Sequence, residues 1–166
     1  MIGIKDVYED LPKNGSYPER SLGDIVAIDI HHANIPSRNY RGFDSIKSIA
    51  NYHINTHDWH GIGYHYIIDP EGVLWKTGLD RQKRWSVGNH NGHTISTLFF
   101  GDFTQEDLKG EQLIKGVKWI RHKMNAYSVP LDRVKGHNEY EGHESNQCPV
   151  FDMEWFRGLL KDCSYG

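Results

Sequence analysis

Residues 24–31, Asp-Ile-Val-Ala-Ile-Asp-Ile-His, constrain the fold more than any other stretch. Branched apolar side chains alternate there with polar ones, the two-residue period of a strand, and the run predicts a central position in a sheet. The strand leads straight into His31-His32 and the turn-rich segment 34–42, NIPSRNYRG. Everything downstream has to supply neighbours and cover for it. From Phe43 to about His57 the apolar residues Phe43, Ile46, Ile49, Ala50 and Ile54 recur at helical spacing, with Asp44 or Ser45 available as a cap. Segments 64–69 and 73–77 flank Pro70-Glu71-Gly72 and predict a hairpin. A further strand is expected over 94–100, closed by Gly101.

The second half alternates in the same way. Thr104 and Asp107 read as an N-terminal cap pair, ahead of a helix carrying Leu108, Leu113, Ile114, Val117, Ile120, Met124 and Tyr127. Pro130 stops it. Residues 134–137 suit a short strand, and Asp152 opens a last helix with Trp155, Phe156, Leu159 and Leu160 as its buried stripe. Strands separated by helices give an α/β class: a single domain with a central mixed β-sheet flanked by helices. Residues 1–23, punctuated by Pro12, Gly15, Pro18 and Gly23, are expected to be an irregular extension packed on the domain formed by 24–166.

Composition narrows the function. A chain of 166 residues, 37% hydrophobic and 25% charged, is built to fold rather than to stay disordered. Its formal charge is -3, and the tightest basic stretch, Arg81-Gln82-Lys83-Arg84, is too short for a phosphate-tracking surface, so no nucleic-acid partner is expected. No segment is long and apolar enough for a bilayer span, and the N-terminal residues do not read as a signal peptide. The two cysteines, Cys148 and Cys163, are expected to be reduced.

Histidine stands out, with 11 residues spread along the chain. His31 ends the first strand, His137 follows a second, and Cys148 lies just before Pro149. Two imidazoles, a thiolate and a water make a four-coordinate catalytic zinc site. Spacing alone leaves other readings open. His31 could be a hydrogen-bonded core histidine and Cys148 a small buried hydrophobe, or the pair could act as a metal-free cysteine nucleophile and base.

Five segments in order carry a resemblance: the strand ending in His31-His32; Gly63-Tyr64-His65-Tyr66-Ile67-Ile68 with Asp69-Pro70-Glu71-Gly72; Val87-Gly88-Asn89-His90; Gly136-His137; and Cys148-Pro149-Val150-Phe151-Asp152. Over roughly residues 24–160 the chain resembles the zinc amidases that include small phage lysozyme-type enzymes and the catalytic peptidoglycan recognition proteins. The resemblance implies cleavage of the amide between N-acetylmuramic acid and L-alanine in peptidoglycan or muropeptides, with one Zn2+ held by His31, His137 and Cys148. It implies an active-site hydrogen bond from Tyr64 and a place for His90 in the substrate groove. His32 is not a ligand position. His65, adjacent to Tyr64, should face away from it. Trp59, Trp85 and Tyr40 are candidate substrate contacts, whereas Trp75, Trp119 and Trp155 read as packing.

The chain departs from the family pattern in three places. Asn146 stands two positions before the last ligand, where the family carries Lys or Thr to stabilise charge on the attacked carbonyl. Asn brings a hydrogen bond without the charge. The loop between His137 and Cys148 is longer than in the shortest phage relatives and carries His143, which could swing over the metal and take that role. Thr94-Ile95-Ser96 replaces a Ser-Ile-Gly strand opening. A phage or prophage endolysin fits best: a monomer held in the producing cytoplasm until the membrane is permeabilised, then acting on the wall. The alternatives are a non-catalytic peptidoglycan-binding protein, a regulator of a phage RNA polymerase, and a cytoplasmic muropeptide-recycling amidase.

Overall fold

The computed structural model describes residues 2–162; Cys163 lies outside them. Strands β1 (Ile4–Asp6), β2 (Ala27–His32), β3 (Tyr66–Ile68), β4 (Leu74–Lys76), β5 (Thr94–Phe99) and β6 (Val134–Gly136) form a sheet in the order β1-β4-β3-β5-β2-β6. Only the β3–β4 hairpin is antiparallel, so the sheet is mixed. Helix α1 (Phe43–His57) covers one face, and helices α2 (Gly110–Tyr127) and α3 (Met153–Lys161) the other. No helix among the described residues is long and apolar enough to cross a membrane.

Strand β2 lies between β5 and β6, and every one of its residues is buried. The alternation sorts them by face. Ile28 and Ile30 join the core beneath α2 and α3, with Val117, Trp119, Ile120 and Phe156. Asp29 and His31 therefore point to the α1 side, as does Leu98 of β5, which packs with Ile46, Ile49 and Ala50. A polar pair is thus driven into the layer between sheet and helix. At the end of β2, His31 reaches the wall of a cleft while Asp29 stays beneath it.

Several local expectations need correction. Neither Asp44 nor Ser45 caps α1: Gly42, at φ 61°, is the N-cap, and the Ser45 hydroxyl accepts from Arg41 N–H at 2.8 Å. Thr104 and Asp107 do not cap α2, which starts at Gly110; Thr104 donates instead to Asp102 Oδ1 at 2.6 Å in the preceding turn. Leu108 is buried ahead of the helix rather than within it. On α3 the buried residues are Met153, Phe156 and Leu160, a three- and four-residue spacing that leaves Trp155 42% exposed. Residues 2–23 are not wholly irregular, because β1 pairs in parallel with β4 at the sheet edge. Arg20 ties the same segment down by donating to the carbonyls of Asp80 and Asn91.

Candidate metal centre and cleft

The end of β2, the turn after β6 and the Cys148-Pro149 segment meet at one point. Ligand atoms of His31, His137 and Cys148 all lie within 4.8 Å of one another, the one such cluster among the described residues. His31 Nδ1 is 3.7 Å from Cys148 Sγ, close to the separation of about 3.5 Å that tetrahedral zinc bonds to N and S would set. The backbone N–H of His32 donates to the same sulfur at 3.3 Å. Gly136 permits the approach: a Cβ there would come within 2.7 Å of Pro149 Cδ.

The two histidines of the cluster sit in different electrostatic surroundings. Burial works against a charged His31, but negative charge at Cys148 and the Asp29 carboxylate outweigh it and hold the ring's pKa up at about 9. Asp29 itself is kept below the usual carboxylate range: burial would raise it, and the His31 hydrogen bond and charge prevail. His137 is pushed down to about 3, by burial first and then by His31 and His143, and so presents a neutral ring. Two imidazoles and a thiol converging within 4.8 Å are a donor set that fits zinc.

A cleft of about 820 Å³ opens on this trio. Ile35, Ile49, Leu98 and Val150 give it apolar lining, while Tyr52, His53, His57, Trp59 and Tyr64 line it with rings. The Tyr64 ring lies 5.1 Å from that of His31 and 5.6 Å from that of His53. Burial, together with negative charge at Cys148 and Asp29, pushes the Tyr64 hydroxyl far above its ordinary value, so it remains an O–H donor. Asn146 also lines the cleft, and its Oδ1 accepts from Cys148 N–H at 2.8 Å. That bond fixes the amide orientation and leaves the NH2 end as a donor.

The structure separates the other candidates. Trp59 lines the cleft; Trp85 stacks behind it at 6.4 Å and is not part of the lining. Tyr40 is also outside the lining, its hydroxyl donating to buried Asp69 at 2.7 Å. His90 lies outside too, with Nε2 3.2 Å from the Glu141 carbonyl. His143 does not overhang the cleft, and its Nδ1 instead meets His137 Nε2 at 3.0 Å. His65 is fully buried, accepting from Ser96 N–H and meeting the Gln82 carbonyl. His32 lines the cleft and accepts at Nδ1 from Phe103 N–H at 3.4 Å.

Sequence reasoning passed over His53 and His57 as site residues. They sit at i and i+4 on α1, one helical row, and that spacing was the available signal. Gly63 N–H donates to His53 Nδ1 at 2.9 Å. Burial first, then His57 and His31, lowers the His53 pKa to about 4. The ring is therefore neutral near pH 7, with its proton on Nε2.

A strand-end histidine, a second histidine and a cysteine at the mouth of a cleft in an α/β sheet define a candidate single-metal hydrolase centre. The family model for N-acetylmuramoyl-L-alanine amidase (Amidase_2) matches residues 21–151, and the chain belongs to that family. It is 27% identical over 97 residues to an N-acetylmuramoyl-L-alanine amidase of Sus scrofa, a match spanning 54% of this chain and 15% of that protein's length. Its fold resembles that of the N-acetylmuramoyl-L-alanine amidase LysC from Clostridium intestinale URNW, with TM-score 0.76, 21% identity, and coverage of 97% of this chain and 99% of that one. The Ph2119 endolysin from the Thermus scotoductus MAT2119 bacteriophage Ph2119 gives TM-score 0.75 at 19% identity, covering 95% and 99%. Drosophila PGRP-LB gives 0.73 at 20% identity, covering 90% and 88%.

Proposed function

We propose that this chain is a zinc-dependent N-acetylmuramoyl-L-alanine amidase that hydrolyses the bond between N-acetylmuramic acid and L-alanine, with residues 24–166 as the catalytic domain. The convergence of His31, His137 and Cys148 within 4.8 Å at the cleft carries this reading. One zinc ion held there would polarise the scissile carbonyl and make water a nucleophile near neutral pH. The chain's own groups then do the rest. Tyr64 O–H and the Asn146 NH2 would donate to the oxygen that gains charge as the carbonyl is attacked. His53 would present Nε2–H to the bound substrate, and with Nδ1 already occupied by Gly63 N–H it serves as a donor rather than a base. Trp59, Tyr52 and His57 supply amphipathic surface for the sugar or stem peptide. Cys148 acts as a ligand, not a nucleophile.

A lytic role on the wall is supported by family membership and by fold neighbours that bear the name endolysin. The deciding experiment is mass spectrometry of purified muropeptides incubated with zinc-loaded protein, beside His31→Ala and a chelated control. Release of the intact stem peptide from the sugar, lost in both controls, is the expected result. Unchanged muropeptides and sacculi in the presence of stoichiometric zinc would overturn the proposal.

A further inference from the structure

Both histidines of the trio have one ring nitrogen already taken. His31 Nε2 is 2.5 Å from Asp29 Oδ2, and His137 Nε2 is 3.0 Å from His143 Nδ1. Neither partner belongs to the metal-ligand cluster, and neither lines the cleft. An imidazole that binds a metal through one nitrogen carries its proton on the other, and what that proton meets sets both the tautomer and the tilt of the ring. We infer that Asp29 and His143 are positioning residues of the metal centre, which hold His31 and His137 so that Nδ1 of each faces the ion. The inference rests on the zinc reading above.

Each partner is itself held in place. Asp29 is completely buried, and Ser96 Oγ donates to its Oδ1 at 3.2 Å. Ser86 Oγ lies 2.5 Å from Ser96 Oγ and extends the chain of hydroxyls. A carboxylate so enclosed has few ways to turn, and it faces His31 because the two share one face of β2. His143 comes from the loop between His137 and Cys148. Its N–H donates to the Tyr140 carbonyl at 2.9 Å, and its own carbonyl accepts from Asn146 N–H at 2.9 Å. The ring rests on Gly88, where a Cβ would stand 3.1 Å from His143 Nε2. The Val87-Gly88-Asn89-His90 segment thus acts as a floor for His143, with His90 Nε2 meeting the Glu141 carbonyl.

The two partners differ in chemistry. Asp29 meets its histidine with a carboxylate oxygen, whereas His143 meets His137 with a ring nitrogen.

Zinc affinity, measured on metal-free protein by competition with a chromogenic chelator, tests the inference without recourse to activity. His143→Ala should weaken zinc binding by roughly 10–100-fold, and His143→Asn, whose Oδ1 can replace Nδ1 as acceptor, should recover most of it. Asp29→Asn keeps an acceptor and loses the charge, so it should weaken binding by about tenfold. The thiolate-to-metal and ligand-field bands of the cobalt-substituted protein should shift in His143→Ala and return in His143→Asn. Asp29 is buried and its variants could misfold; His143 sits in a loop, so the melting temperature of its metal-free variants should match the parent. Tight zinc binding that His143→Ala leaves unchanged would overturn the inference and leave the amidase reading standing. Failure of His143→Asn to recover any affinity would overturn it too, because the ring would then be a ligand itself. Absence of stoichiometric zinc in the parent protein would overturn both.

Discussion

The backbone N–H of Gly63 donates to His53 Nδ1 at 2.9 Å, joining the Gly-Tyr-His segment before β3 to the last turn of α1. One hydrogen bond thereby decides what His53 can do. Its free nitrogen, in the cleft wall, carries the proton, and burial keeps the ring uncharged down to a pKa of about 4.

Replacing His53 with Phe should therefore remove a donor from the cleft while filling its volume. Turnover of muropeptides should fall by up to about 100-fold if the donor meets charge that develops on the reacting group. Zinc affinity should be unchanged, because His53 is outside the ligand cluster. Steady-state kinetics beside chelator competition separate the two effects. A parallel loss of zinc would show that His53 works through the metal centre instead.

Two buried histidines should make the fold acid-sensitive well above the carboxylate range. His53 is lowered to about 4 by burial, then by His57 and His31; His65 is lowered to about 3 by burial, then by Arg84 and Arg20. Both folded-state values lie below the unfolded value of about 6.5. As pH falls through 6.5 the unfolded chain takes up protons that the folded chain refuses, so stability is whole above that pH and declines below it. At pH 5 each such histidine should cost about 2 kcal/mol. Urea midpoints of chelated protein at pH 7 and pH 5 read this directly, and equal midpoints would sink it.

The sheet, the hairpin and the three helices were legible because period and punctuation are local properties of a sequence. β2 could be placed from eight residues, and Pro70-Glu71-Gly72 marked the β3–β4 hairpin unaided. Helix starts were less legible: Thr104 looks like a cap, but its hydroxyl turns back to Asp102, and α2 begins only at Gly110. The grouping of His31, His137 and Cys148 was expected from family resemblance alone, since nothing local joins His31 to residues more than a hundred positions away. The cleft wall was harder. Tyr40 and Trp85 have the right chemistry for a groove, yet Asp69 captures one hydroxyl and Trp59 covers the other ring. His53 enters the wall only because of how α1 is rolled against the sheet, and Asp29 meets His31 because residues two apart share one face of β2.

Away from the cleft, Lys123 of α2 and Asp80 form an ion pair whose side chains are 7% and 15% exposed. Tyr66 donates to Asp80 Oδ1 at 2.6 Å, and Tyr127 donates to Oδ2. Burial alone would raise the Asp80 carboxyl, but Lys123 and the hydroxyls more than reverse this and hold it below its ordinary value. Lys123→Met would strand the carboxylate and should lower stability by about 3 kcal/mol. The cost should shrink as pH falls, because the buried carboxylate of the variant, no longer held down by Lys123, takes up a proton at a higher pH than that of the parent. Denaturant titrations of parent and variant at neutral and acidic pH measure both the loss and its pH dependence.

Asn146 lines the cleft beside Cys148 and offers a sharp test of the donors around the cluster. Its Oδ1 is committed to Cys148 N–H, so only the NH2 end is free to reach substrate. Asn146→Asp keeps the structural acceptor and deletes the donor, placing negative charge near an oxygen that must become negative itself. Turnover should fall by at least about 100-fold, a loss on the scale of removing one oxyanion donor. Because the Cys148 N–H remains paired, the fold and zinc affinity should be retained. Asn146→Ala removes donor and acceptor together and should lose both activity and some order around Cys148, seen as weaker zinc binding. Asn146→Lys should keep measurable activity despite the lost acceptor, because its ammonium supplies the charge that the parent residue lacks. Full turnover in Asn146→Asp would exclude Asn146 from the reaction and leave Tyr64 and His53 as the donors on the cleft wall.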